Sequence, residues 1–578
     1  MAVKITQLPI AAGPPFDGDE LIPIVDDGTT SRTGLSSFAE YLSGAVGIAS
    51  PDKNNYFQTA QSIGGDLSGT GRLTIGGSAA TPPVQQNTGT YSSIAGGYGN
   101  SNSSAYGFIG GGLDNTISDD YNVLVGGCCN NIDGTLAFVG GGECNHADGS
   151  EYIVIGGGCE NCAQNHDAVV VGGRTNQSTG SASFIGGGWQ GYAKDDFSTV
   201  VNGSNLSACG IYTFVGGGID NYISCAGTGD GYSTIVGGQS SRIGDKNTVT
   251  RHSFIGGGSY NTIFGLSSFI GGGDSNTTST AKGVVVAGGG HNQATANYTT
   301  IGGGCTNTAT DLWATVGGGY NNNATQNAAF IGGGAGNCAN NTEVVIGGGS
   351  SNCVTGCQGV IVGGASNQAQ STRTFVGGGL SNNASGDYST IAGGCENEAS
   401  GTCSFIGGGE SNCANDTYAT VGGGKSNCAG GTNTTIGGGQ GNVVGPGGTI
   451  AGGISNGACC LDNATVVGGC SNGAWGEYSF VGAGQCNEAH GGCTSIAGGC
   501  KNCIKGGYND FSMILGGENN CIENNHRSAA VIGSDICTVC SYMLHAHSLW
   551  LSAGALPTSD PGVGGVVWND SGTLKISL

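Results

Sequence analysis

Cysteine is the residue type with the most chemistry to offer in this sequence, with 25 among 578 residues. That is a high number for a chain folded in a reducing compartment. Several stand directly after an Asn: Cys162, Cys338, Cys353, Cys413, Cys428, Cys503 and Cys521. The pairs Cys338/Cys353, Cys413/Cys428 and Cys503/Cys521 fall at the same place in successive copies of a repeated phrase. If each copy is one coil of a stack, paired Cα atoms lie about 4.8 Å apart, inside the window of roughly 4.4–6.8 Å that a disulfide needs. Cys129 and Cys144 form a similar pair just before the Asn. Cysteine also serves as a small, buryable side chain, so a partial disulfide ladder and plain packing are both open readings.

Three Cys-x-x-Cys spacings occur, at Cys159/Cys162, Cys500/Cys503 and Cys537/Cys540. The first two follow from the repeat itself. The third precedes His545 and His547, which makes a four-donor set of the kind that holds zinc, although its spacing differs from finger motifs. His545 and His547 also lie on one side of an extended strand. Three chains around an axis would aim six imidazoles at one point, an arrangement suited to an octahedral transition-metal ion.

No residue set reads as catalytic, and the chain is expected not to be an enzyme. With 121 Gly, a G-x-G-x-x-G phrase arises by chance about five times in this length and carries no weight. The carboxylate pairs Asp119/Asp120 and Asp195/Asp196 lie in turn-like stretches that read as solvated loops. The phrase from Gly96 to Asn100 lacks the Asp of calcium-binding nonapeptide repeats.

The elements that position these residues come from the composition and the repeat. Glycine is about three times its average usage and charged residues are only 10%. Collagen is excluded, because Gly does not recur every third residue and there are 10 Pro. The formal charge of −23 disfavours nucleic acid as a partner. No apolar run is long enough for a membrane-spanning helix, and the N-terminal residues lack a signal-peptide core, so folding in a cytoplasm is expected.

From residue 91 to 535 one phrase recurs: Ser/Thr, one or two of Ile/Val/Phe, two or three Gly, two variable residues, then Asn. About 29 copies at a mean step of roughly 15 to 16 residues predict a repeat solenoid. The β-branched segment favours a strand, the Gly run a sharp turn through positive φ, and the Asn a left-handed position bonding its stacked neighbours. Longer steps around 215–255 predict surface loops. The fold class is therefore all-β: an elongated parallel β-roll with Ile/Val/Phe in a thin core. A Gly- and Ala-rich remainder suits packing against identical chains, with a homotrimeric fibre as the expected assembly.

The repeat phrases, such as the one from Ala384 to Gly394, resemble the head repeats of trimeric autotransporter adhesins, which implies a parallel β-roll. Residues 1–50 resemble N-terminal attachment segments of phage tail fibres, through Lys4 to Pro9 and Glu20 to Gly28. Residues 51–82 resemble the β transition that follows such segments, and we take 51–90 as that region. The end of the chain, with Leu556 to Gly562 and Val567 to Ile576, resembles phage fibre C-termini, so 91–535 reads as the shaft and 536–578 as the distal cap or tip.

The resemblance implies a virion fibre assembled in the host cytoplasm and extracellular after release. It would attach to a tail or baseplate protein by its N-terminus and adsorb to a host surface glycan or protein. His545 and His547 resemble the His-x-His motif by which some long tail fibres bind axial iron. Tyr542, Trp550 and Trp568 are the receptor-binding candidates near the tip, with Trp189, Trp313 and Trp475 along the shaft. A glycan-degrading tailspike and a purely structural spacer or surface filament are the alternatives.

Overall fold

The computed structural model describes residues 85–149, 151–224, 231–245, 250–459, 462–507, 509–538 and 540–546, together with strand segments at 22–26, 29–33, 55–57, 73–75, 567–570 and 573–576. Among the described residues every regular element is a β-strand and none is a helix. The chain divides into two compact units, Met1–Gly288 and Gly289–Leu578. Each is a parallel β-solenoid with coils of roughly 15 residues.

Coil 404–418 of the second unit shows how the phrase makes a turn of the solenoid. Phe405–Ile406 is a two-residue strand. Successive strand side chains point to opposite faces, so Ile406 is buried and Phe405 faces outward. The chain then turns through three glycines. Gly409 has φ +93°, and a Cβ there would meet the Gly424 carbonyl oxygen at 2.0 Å and Asn412 Nδ2 at 2.6 Å. Only glycine satisfies both the dihedral and the space. Ser411 takes φ 53°, Asn412 is buried at the corner, and Cys413–Ala414 forms the second strand with Ala414 inward. Tyr418, at φ 59°, is exposed on the second turn, and buried Ala419 returns the chain to the next strand.

Stacking repeats these strands as two in-register parallel ladders. In the second unit the Ile/Val ladder runs from Thr300–Ile301 to Leu544–Ala546 and the Ala ladder from Gln293–Ala294 to Cys521–Ile522. In the first unit the Ile/Val ladder reaches Val285–Val286, and the other ladder reaches Thr277–Thr278. Asn55–Phe57 and Leu73–Ile75 extend its Ile/Val ladder at the N-terminal end. Ile22–Asp26 pairs antiparallel with Thr29–Thr33, and Val567–Asp570 with Thr573–Ile576. The lengthened steps expected as loops fall largely on 225–230 and 246–249, outside the described residues.

Two expectations are corrected. The phenylalanines are not in the core: Phe108, Phe138, Phe330, Phe375 and Phe405 are exposed, while the Ile or Val that follows each is buried. A two-residue strand has one inward position, and the second residue occupies it. The recurring Asn does not take the left-handed conformation; the residue before it does, as at Asp114, Cys129, Thr306 and Ser411.

The Asn side chain instead forms a buried amide ladder. Asn412 donates Nδ2 to the carbonyls of Gly408 at 2.9 Å and Gly424 at 2.8 Å and to Oδ1 of Asn397 at 3.1 Å. Its own Oδ1 accepts the backbone N–H of Asn427 at 3.0 Å. In the second unit this ladder runs without a break from Asn292 to Asn520, through Asn337, Asn382, Asn427, Asn472 and Asn502. In the first unit it is interrupted after Asn176, where Gly191 and buried Leu206 take the corner and the strands lengthen to Trp189–Ala193 and Ser204–Ala208, and it reappears between Asn261 and Asn276.

Candidate functional site

The outward side chains of the two ladders divide the coil surface by chemistry. Along the Ile/Val ladder of the first unit they run Phe108, Val123, Phe138, Val154, Val169, Phe184; along the second, Phe330, Val345, Val360, Phe375, Thr390, Phe405. Among the described residues this column contains no charged side chain. Two positions further on, a second column holds Gly, Ala or Val up to Ala497 and then Leu515 and Ile532, with Val125, Val171, Val362 and Val467 exposed. Each unit thus presents a flat uncharged face, on a chain whose formal charge is −23. Exposed apolar surface of that continuity marks an interaction site.

The Ala ladder carries the cysteines outward. Its register pairs Cys338 with Cys353, Cys413 with Cys428, and Cys503 with Cys521. Cys413 and Cys428 are joined, with Cα atoms 4.7 Å apart. The other two pairs are free thiols, as are Cys129 and Cys144. The Cys353 thiol donates to Cys338 and holds it down to about 7, whereas the same contact and burial push Cys353 up. Of the two thiols Cys338 is therefore the more acidic. Iodoacetamide is expected to modify Cys338 before Cys353, and Cys353→Ala, which removes the donor, to slow that reaction; mapping the alkylated peptides by mass spectrometry checks both.

At the C-terminal end of the second unit, the strand Leu544–Ala546 pairs with Ala530–Ile532 and sets His545 opposite buried Val531. His545 Nε2 lies 3.3 Å from the Cys540 carbonyl oxygen. His547 and Trp550 lie outside the described residues, so the expected His545/His547 metal site is seen at one residue only. Cys540 Sγ faces Met543 Sδ at 2.8 Å. Among the described residues Tyr542 is the most exposed of the large apolar side chains, at 73%; Trp568 lies in a strand described by its backbone alone.

Of the tryptophans proposed along the shaft, Trp189 and Trp313 are exposed. Trp475 instead lies across the strand positions of Gly457 and Gly473, where a Cβ would meet its ring at 2.5 Å and 2.2 Å. It is packing.

Sequence reasoning missed an aromatic column on the second turn of the first unit. Tyr91, Tyr106 and Tyr121 stack with ring centroids 5.2 and 4.9 Å apart. Phe197, Tyr212, Tyr232 and His252 stack at 4.7, 5.0 and 5.1 Å. The signal was present, since an aromatic residue recurs two or three positions before the Ile/Val of many copies. Asp133, His146 and Asp148 also cluster on the outward side of this unit. Burial raises the Asp133 carboxyl, but hydrogen bonds from Ser118, His146 and Asn131 outweigh it and leave it low.

No family model matches the sequence, and a search of curated proteins finds no match.

Proposed function

We propose that the chain is a structural fibre subunit that self-associates, three-fold, through the uncharged face of its Ile/Val ladder and serves as a phage tail fibre adsorbing to a host cell surface. The observation that carries the reading is that face: mostly Phe, Val and Thr in one column and mostly Gly, Ala or Val in the next, without a charge, on a strongly acidic chain. It is the surface on which identical chains meet without repulsion, and its small second column lets backbones approach closely. The exposed aromatic turns at Tyr91, Tyr106, Tyr121, Tyr212, Tyr232 and Tyr542 supply repeated weak contacts to sugar or protein, which three chains multiply into avidity. The resemblance of both chain ends to phage fibre segments supports the tail-fibre assignment, with the N-terminus joined to a tail or baseplate protein.

Light scattering of the purified chain, followed by adsorption to a panel of bacterial cells and their extracted surface glycans, tests the reading. A mass near three times 56.7 kDa and saturable adsorption to a subset of the panel are expected. A 56.7 kDa monomer overturns the assembly, and a trimer that binds nothing on the cells overturns the adsorption role.

A further inference from the structure

We propose that Cys521, Glu523 and Cys537, on the outward side of the last coils of the Ala ladder, form a binding site for a thiophilic divalent cation of the zinc class. Cys521 opens the strand Cys521–Ile522 and Glu523 follows directly after it, with the Cys521 thiol 3.3 Å from Glu523 Oε1, so the two side chains share one side. Cys537 is the bridge partner of Cys521 in the following coil. One ligand atom from each residue lies within 4.8 Å of the other two.

Both thiols are directed at the same carboxylate oxygen: Cys521 Sγ is 3.3 Å and Cys537 Sγ 3.5 Å from Glu523 Oε1. A tetrahedral ion with zinc–sulfur and zinc–oxygen bonds of ordinary length sets its ligands about 3.5–3.8 Å apart. The two sulfur–oxygen separations are therefore close to those between corners of one coordination tetrahedron, and the parallel bridge between Cys521 and Cys537 holds the two thiols in adjacent coils.

The chemistry of the donors selects the ion. Two thiols with one carboxylate favour zinc and similar borderline ions over magnesium or calcium, which take oxygen ligands. The cation already at the site is an ammonium: Lys505 Nζ lies 2.8 and 2.7 Å from the two Glu523 oxygens. Binding releases the two thiol protons to solvent. Two thiolates and one carboxylate carry three negative charges, which the divalent ion and Lys505 balance without remainder. Cys503 precedes Cys521 in the same column, and Glu488, His490 and Cys503 form an adjoining donor cluster, so further ligands stand beside the fourth position.

Cobalt(II) is the probe, added to the fully reduced full-length chain after the reductant is removed. The expected result is a thiolate-to-cobalt charge-transfer band that one equivalent of zinc abolishes, with zinc also raising the melting temperature. Because other free thiols are present, each arm is read as a difference between variants. Cys521→Ser with Cys537→Ser is expected to lose that band and the zinc-induced shift, whereas Cys338→Ser keeps both. Serine at these outward positions is close to isosteric, and an unchanged melting temperature without metal verifies folding. Glu523→Ala, which keeps both thiols, is expected to lose the zinc-induced shift. An unaltered chain without the band, a double variant with the same band, or a Cys521–Cys537 disulfide in the reduced preparation overturns the site.

Discussion

A chain carrying Phe375→Asp and Phe405→Asp is expected to run in solution as a 56.7 kDa monomer, where the proposed assembly of the unaltered chain would run at three times that mass. Both side chains point outward from the Ile/Val ladder, 37% and 41% exposed, with Thr390 between them in register. In a single chain an aspartate there meets water, so the coil itself is little disturbed. In an assembly that buries the face, every chain would bury two carboxylates without partners, and an uncompensated buried charge costs several kcal/mol. Light scattering reads the mass, and an unchanged circular dichroism spectrum separates dissociation from unfolding. Replacing the exposed Asn340 and Asn415 of the opposite ladder by Asp is expected to leave the mass alone. A double Phe variant that keeps the full mass would move the interface elsewhere on the coil.

The second large effect is expected inside the coil. Asn412→Ala should lower the stability of the second unit by about 3–5 kcal/mol, because it leaves the backbone N–H of Asn427 without its acceptor and the Gly424 carbonyl without a side-chain donor. The removed amide also leaves a void at a fully packed corner. Asn415→Ala, three residues away on the surface, is expected to stay within about 0.5 kcal/mol. Urea denaturation gives the two midpoints. Native-state hydrogen exchange should place the new opening in the coils on either side of Asn412, since a solenoid is held by nearest neighbours.

The architecture was legible in the sequence because its period is carried by residues that have no substitute. The Gly at the position of Gly409 is required by dihedral and by the carbonyl of the next coil, so it recurs wherever the fold does. The Asn recurs for the amide ladder, though its conformation was misjudged: the left-handed residue is the variable one before it, which includes Asp, Thr, Ser and Cys. The inward or outward sense of Phe405 was not legible, because Phe-Ile reads as two apolar residues and only the two-residue strand decides which faces in.

The cysteine pairs were legible as neighbours through the repeat, and the register brings all three together. Which pair joins depends on side-chain orientation, which spacing does not encode. The cluster at Cys521, Glu523 and Cys537 was hidden for a related reason. The steps of 18 and 16 residues from Asn502 to Asn520 and on to Ile536 break the regular count, so Cys537 does not read as the partner of Cys521 until the coils are stacked.

The unbroken amide ladder of the second unit has a consequence for how such a chain changes over generations. Every coil hands its neighbour the same acceptor and takes the same donor, whether the step is the usual 15 residues, the 14 between Asn442 and Asn456, or the 16 between Asn456 and Asn472. A recombination between two copies that removes or duplicates one whole phrase therefore leaves the coils above and below with equivalent partners. The gene can be lengthened or shortened in phrases, each adding or subtracting one stacking step of 4.7 Å, so that reach is set by counting copies rather than by redesigning any of them.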